Sequence, residues 1–330
     1  MTSVRFVVDA VDWVFDEWDT HRIEPAIDRL LDRIEVARER NEKVAYGADL
    51  FTRAVMAGRS IWELFGPGNG PRLSRELQER LSAAFSTATR WDDGDDWPDS
   101  FEIVVDGHAE ENPDVAWAHQ RVAGGTATGL LGVTRHGKRE VSAAGKSLDL
   151  HWVGSDAEHV GFFRQAIDLE RDSEATLERF APHAFPNLFF HSDVWAGLGN
   201  LSGGYRAVRL ALRNYLAVLD DHGEWVFTAP PPAVSRTDTA PASSDDHPSN
   251  QLIERRFQAL GLDVAPEKPN VRHDNKCREA RERALQGRVI YCEWHGKLEP
   301  HQNRVHLHPP VPESGNRVVI GVIHEHLPLP

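Results

Sequence analysis

Apolar residues recur with a helical period over much of this chain. In IEPAIDRLLDRIEVARER, Ile23, Ile27, Leu30, Leu31 and Ile34 fall on one face and predict a helix, while VRFVVDAVDWVF before it reads as a strand. The same reasoning predicts helices over residues 48–64 and 74–84, then strands at 101–105 (FEIVV) and 148–153 (LDLHWV). Further on, RQAIDLERD, SEATLERFA and GGYRAVRLALRNYLAVLDDHG are helical, with Gly223 placed to stop the last of them. There is no internal repeat.

Near the C-terminus the period shortens to two. Val289 and Tyr291, then Val305 and Leu307, then Val318, Ile320 and Val322 alternate with other residues, and Pro-Pro and Glu-Ser-Gly-Asn breaks separate the runs. This predicts short antiparallel strands joined by turns. His306 and His308 would then share a face, as would His324 and His326, and pairing of the two strands would gather four imidazoles beside Arg304 and Lys297. Between the two regimes, residues 229–251 (APPPAVSRTDTAPASSDDHPSNQ) hold five prolines among small and polar side chains and read as a linker. The predicted fold class is therefore α+β: a mixed body at residues 1–228, the linker, and a small domain at 252–330 with two helices and an antiparallel sheet.

Charge sharpens that division. The net charge is −14, yet residues 252–330 carry 12 Lys and Arg against 10 Asp and Glu, so that segment is +2 and the remainder −16. An acidic body repels phosphate polymers, which confines any nucleic-acid contact to the C-terminal domain. With 330 residues, 40% of them hydrophobic, two cores are affordable. Cys277 and Cys292 are the only cysteines, which argues against a disulfide framework and against a zinc site built on paired cysteines. No run reaches the ~20 apolar residues that cross a bilayer, and MTSVRFVVDAVDW lacks a signal-peptide layout, so the expected location is cytoplasmic with no membrane partner.

Several motifs in the body do not hold. Gly145-Lys146-Ser147 ends like a P-loop, but Glu140 stands where its first glycine belongs. The glycine-rich run at 124–129 reads as a tight turn rather than an anion cradle. Asp9, Asp12, Asp16 and Asp19 resemble the separated acids that hold Mg²⁺ in PIN-type nucleases, although solvated positions are the preferred reading. Arg206, Arg209 and Arg213, with Trp195 and Tyr205, form either an interaction surface or, preferably, a solvated helix face.

The tail carries the candidate chemistry. Residues 288–330 contain six histidines, and imidazoles titrate near neutrality. Glu293 and Lys297 stand too far apart for a PD-(D/E)xK nuclease, where one residue separates the pair. His306-x-His308 and His324-x-His326 each have the spacing that brings two imidazoles from one strand to one ion, so a zinc or manganese site is one alternative, with Glu293 or Glu299 completing it.

Two helices (ERRFQALGL and CREARERALQG), a strand RVIYCEWHGKLEPH, then NRVHLHPP and RVVIGVIHEHLP together resemble the RelE/ParE superfamily of small bacterial toxins over about 80 residues. Many of those toxins cleave mRNA on the ribosome. The resemblance implies a metal-independent endoribonuclease acting in a toxin or antiphage-defence system, with RNA or the ribosome as its target. This chain departs from the family in carrying histidines in NRVHLH and no tyrosine after the last strand. RNA cleavage needs a base for the ribose 2′-OH, an acid for the leaving oxygen and cations around the phosphorane. His301, His306, His324 and His326 are the candidates for proton transfer, and Lys297, Arg304 and Arg288 for holding the phosphate. The alternatives are a non-catalytic subunit that binds a protein partner in a defence or toxin complex, and a metal-dependent hydrolase using His306, His308, His324 and His326.

Overall fold

The computed structural model describes residues 4–64, 72–94, 96–229 and 248–330. The protein is mixed α and β, with an antiparallel-rich sheet toward its C-terminus. It divides into two compact units, Met1–Arg171 and Asp172–Pro330.

The N-terminal unit runs β1 (Val4–Val8), α1 (Thr20–Glu39), β2 (Lys43–Tyr46), a small hairpin of β3 (Ala54–Met56) and β4 (Arg59–Ser60), α2 (Arg75–Ser86) and β5 (Thr89–Arg90). A hairpin of β6 (Glu102–Val105) and β7 (His108–Glu111) follows, then α3 (Pro113–Ala123), β8 (Gly129–Leu131), β9 (Gly137–Ala143), β10 (Lys146–Trp152) and α4 (Asp156–Leu169). Among the described residues these strands, apart from the β3–β4 hairpin, form one sheet in the order β5-β2-β1-β8-β10-β9-β6-β7. The first five run parallel and the last three antiparallel. From β1 the chain moves to β2 on one side and later to β8 on the other, so the carboxyl ends of β1 and β8 flank the point where the order reverses.

Residues 48–64 do not form the predicted helix. They make a 3₁₀ turn at Ala48–Phe51, the β3–β4 hairpin and a second 3₁₀ turn at Trp62–Leu64. Ala57 and Gly58 both take positive φ, +47° and +75°, and the two-residue reversal they make overrides the apolar period. Ala144 and Gly145 do the same between β9 and β10, which explains why Gly145-Lys146-Ser147 is a hairpin and no phosphate loop.

The C-terminal unit comprises α5 (Glu174–Ala184), β11 (Leu188–Phe190), a 3₁₀ stretch at Ser192–Asn200, α6 (Tyr205–Phe227), α7 (Asn250–Ala259), β12 (Val264–Pro266) and the short helices α8 (Pro269–His273) and α9 (Asn275–Glu279). It ends with a hairpin of β13 (Glu282–Leu285) and β14 (Arg288–Tyr291), then β15 (Trp294–Glu299), β16 (Gln302–His308) and β17 (Val318–His324). Its main sheet has the order β11-β17-β16-β15-β12, with β11 parallel to β17 and the rest antiparallel. The unit therefore starts at Asp172 and not at 252: α5, β11 and α6 belong with the tail, because β11 extends the tail's own sheet. Gly223 does not stop α6. It lies inside the helix, where a Cβ would sit 3.0 Å from Val318 Cγ2, so it serves close packing. Of the predicted linker, residues 230–247 lie outside the described residues, and Asn250 already opens α7.

Two other tail elements differ from the sequence pattern. CREARERALQG is helical only to Glu279, then becomes β13, turned back by Gln286 and Gly287 at φ +47° and +84°. RVIYCEWHGKLEPH breaks at Cys292-Glu293 into β14 and β15, which belong to different sheets. One face of the five-stranded sheet is apolar. Trp294 meets Phe227 and Phe257 there, and Gly296 lies so close to the Tyr215 hydroxyl that no side chain fits.

Candidate functional site

The opposite face of that sheet is polar, and strand register decides what it gathers. Lys297 pairs with Arg304 and Arg304 with His324, while the next step inward pairs His295 with His306 and His306 with Val322. Directly opposed residues share a face, so Lys297, Arg304 and His324 form one row and His295 and His306 the row behind it. A β-bulge in β17 sets this arrangement. Val322 opposes His306 but Ile320 opposes Leu307, so Gly321 is the extra residue. Arg283 Nε donates to the Gly321 carbonyl at 3.0 Å, and any Cβ at Gly321 would collide with Cys292 Sγ. Strict alternation groups Val322 with Val318 and Ile320; the bulge puts it with Val319 instead.

The face is covered at one end and open at the other. Leu285, Ile290, Val311 and Val319 pack with Phe189 over the end where His308 sits. Next to them His306 is fully buried, and neither ring nitrogen has a hydrogen-bond partner among the described residues. Burial, then Arg281, His295 and Arg304, push its pKa well below the usual histidine value, so it is neutral. His306 is thus brought into the cluster but closed to a substrate. His308 is partly buried, with Nδ1 2.7 Å from the Pro309 carbonyl.

At the open end the picture is different. Arg304 has no hydrogen-bond or ion-pair partner among the described residues, and its Nε is buried. Lys297 Nζ lies 2.9 Å from the exposed Asp263 carboxylate. His324 ends β17, and its Nδ1 accepts the His326 backbone N–H at 3.1 Å, which places the proton of the neutral ring on Nε2. His326 lies beyond the strand and is exposed, with Nδ1 2.9 Å from the Leu327 carbonyl, so it does not share a strand face with His324 as predicted. His301 sits exposed in the β15–β16 turn at φ +71°. Arg288 belongs to the separate β13–β14 sheet and pairs with Glu313 at 3.2 Å. The quartet His306, His308, His324 and His326 does not assemble: among the described residues no group of three His, Cys, Asp or Glu is placed to hold an ion.

Sequence reasoning missed Glu267, Arg281 and His295. Glu267 follows β12, and its Oε1 accepts from Arg281 Nε at 2.7 Å while standing 3.5 Å from both His295 Nδ1 and His306 Nδ1. Arg281 is fully buried and also donates to the carbonyls of Cys277 and Pro328. Burial is the largest influence lowering the His295 pKa; Arg304 and Lys297 add to it and Glu267 opposes it. His295 could have been found from its i,i+2 relation to Lys297. Glu267 and Arg281 carry no local signal, because only the folded chain brings them to the sheet.

Of the four acidic residues near the first strand, Asp16 and Asp19 are exposed, as the solvated reading expects, and Asp9 and Asp12 are not. Asp9 and Asp12 are buried, and so is Asp114 at the start of α3. Asp9 accepts from Asn112 Nδ2 and Trp152 Nε1, both at 2.8 Å, and Asp114 from the Ala10 N–H at 2.9 Å and Trp91 Nε1 at 2.7 Å. Asp12 takes the backbone N–H groups of Val133, Thr134 and Arg135 at 2.6, 2.7 and 2.9 Å. Burial pushes Asp9 up to about 6 and Asp114 up to about 7. Asp12 thus ties the segment after β1 to the one after β8, Asp9 joins it to Asn112 and β10, and Asp114 joins it to α3 and Trp91. Asp16 accepts from the Ala57 N–H, and Asp19 caps α1. Arg213 turns inward to Asp172 at 2.7 Å, beside the Tyr205 hydroxyl, while Arg209 reaches the same carboxylate at 3.6 Å and stays partly exposed, and Arg206 is exposed.

No helix among the described residues is long and apolar enough to cross a membrane. Compared with family models, with curated proteins and with solved structures, the chain matches none.

Proposed function

We propose that the C-terminal unit binds RNA and cleaves its phosphodiester backbone without a metal, as the effector of a bacterial toxin or antiphage-defence system. The observation that carries this reading is Arg304: a guanidinium without a carboxylate partner among the described residues, between Lys297 and His324 on an open sheet face, in a chain of net charge −14. An unpaired arginine fork suits a phosphate, and the flanking ammonium and imidazole Nε2–H add donors around the charge that builds on the phosphorane. The toxin and defence setting rests on the resemblance of the tail sequence to the RelE/ParE superfamily.

The test is cleavage of a labelled RNA by the full chain in excess EDTA, with and without ribosomes. Cutting should survive EDTA and fall about 100-fold or more in Arg304→Ala, the magnitude of one lost charge-stabilising donor. RNA binding without cutting under any of these conditions would leave a non-catalytic subunit that docks RNA through the same row. Cutting that stops in EDTA and returns with zinc or manganese would favour the metal-dependent hydrolase instead.

A further inference from the structure

We infer that His295 is the general base of this reaction and that Glu267 is the positioning residue that fixes its tautomer. The assignment rests on the phosphodiester-cleaving reading above.

Of the histidines that stand out in the sequence, His301 lies in a turn and His326 beyond β17, off the strand row that holds Arg304, and the other three do not serve as the base. His306 is sealed, His308 lies at the covered end, and His324 carries its neutral-state proton on the nitrogen that remains free. A base must offer a bare ring nitrogen to the substrate. His295 does so. It neighbours Lys297 on the same face of β15 and lies diagonal to Arg304 on β16. Its Nδ1 is buried and makes no hydrogen bond among the described residues, but Glu267 Oε1 stands 3.5 Å from it, and that negative charge favours the proton on Nδ1 and leaves Nε2 as the acceptor. Nε2 has no hydrogen-bond partner among the described residues, and the side chain keeps 13% of its surface exposed. The Arg281 guanidinium, 2.7 Å from the same Glu267 oxygen, offsets the carboxylate charge. Glu267 can therefore orient the ring without holding it protonated, and the shift of His295 below the ordinary histidine range agrees with a neutral ring at pH 7.

Spacing fits a phosphodiester. β15 and β17 are two strands apart, roughly 10 Å, with Arg304 on the strand between them. A phosphate held by Arg304 and Lys297 then has His295 on one side and the His324 donor on the other. His295 Nε2 takes the proton of the ribose 2′-hydroxyl as the 2′-oxygen forms its bond to phosphorus. The bond from phosphorus to the 5′-oxygen breaks, water protonates that oxygen, and the His295 imidazolium returns its proton to water. The products are a 2′,3′-cyclic phosphate and a 5′-hydroxyl, with no oxidant, reductant or co-reactant consumed. The substrate class is RNA with a free 2′-hydroxyl at the scissile step.

The experiment uses the full chain and an oligodeoxynucleotide carrying a single ribonucleotide, with an all-deoxy strand as control. The expected result is cutting at the ribonucleotide only, with a cyclic phosphate end, and a rate about 100-fold lower in His295→Ala that added imidazole partly restores. Glu267→Gln should lower kcat and move the acid limb of the pH profile to lower pH, since the carboxylate raises the His295 pKa. Melting temperatures of both variants separate these effects from unfolding. If the wild-type chain cuts and a folded His295→Ala variant cuts equally fast or keeps the wild-type acid limb, the assignment is overturned while the nuclease reading stands. If the wild-type chain cuts neither this substrate nor a longer RNA, both are overturned.

Discussion

His306 shows how a residue can belong to a site without acting in it. Its ring is fully buried, with neither nitrogen hydrogen-bonded among the described residues, Glu267 Oε1 3.5 Å from Nδ1, and three arginines among the groups that disfavour its charge. An imidazole so placed gives the fold little that an apolar side chain of similar size would not. His306→Leu should therefore be neutral or stabilising, within about 1 kcal/mol by urea unfolding. A loss above about 2 kcal/mol would show that the ring nitrogens have partners after all. The alternation around His306 was legible in the sequence, and Lys297, Arg304 and His324 came with it, because strand pairing follows from a period of two. The burial of His306 was not legible. It depends on Arg281, Arg283 and Cys292, which reach the sheet from elements whose packing no local pattern records.

Elements failed where a turn outranked a period. Residues 48–64 and CREARERALQG both match a helical apolar spacing, yet Ala57-Gly58 and Gln286-Gly287 take positive φ and fold each back into a hairpin. The helices α1, α2 and α5 lie close to their predicted spans, with Ser or Asp capping each, whereas α4 starts at Asp156, well before the predicted RQAIDLERD, and ends at Leu169 ahead of Arg171 and Asp172 at positive φ, and α7 starts at Asn250, four residues before ERRFQALGL. At β15 a different constraint acts. Gly296 exists because Tyr215 of α6 fills the space a Cβ would need, on the face opposite the Lys297–Arg304 row. Gly296→Ala should cost about 1–3 kcal/mol through overpacking and should weaken RNA cutting by shifting Lys297, measured by thermal melting and by rate. An unchanged melting temperature would show that α6 can yield.

Across the whole chain, buried carboxyls and buried histidines answer acid in opposite senses. Asp9 and Asp114 have folded-state pKa values raised to about 6 and about 7 from 3.8, so the folded N-terminal unit binds protons that its unfolded form releases. These two groups add stability as pH falls from about 7 toward 4, whereas His119 and His151 of the same unit, lowered from 6.5 chiefly by burial, remove it as pH falls below 6.5. His295, His306 and His308 are lowered from 6.5, so the stability they leave intact in the C-terminal unit is fully present above pH 6.5 and is lost as pH falls below it. Calorimetry at pH 7.5 and 5.5 should therefore move the C-terminal transition down, and a C-terminal transition that stays or rises would contradict this.

The Gly321 bulge has a consequence for how the last strand can vary. The sheet reads β17 by parity, and Gly321 is left out of the count: Val319, Val322 and His324 fall on the polar face as if it were missing. Losing Gly321 would leave every later side chain on its present side, whereas gaining one regular residue there would send His324 under α6 and Ile323 into the open. The position of the histidine opposite Arg304 is thus set by whether the number of paired residues before it is odd or even. A change of length at that point touches the site more severely than most changes of side chain would.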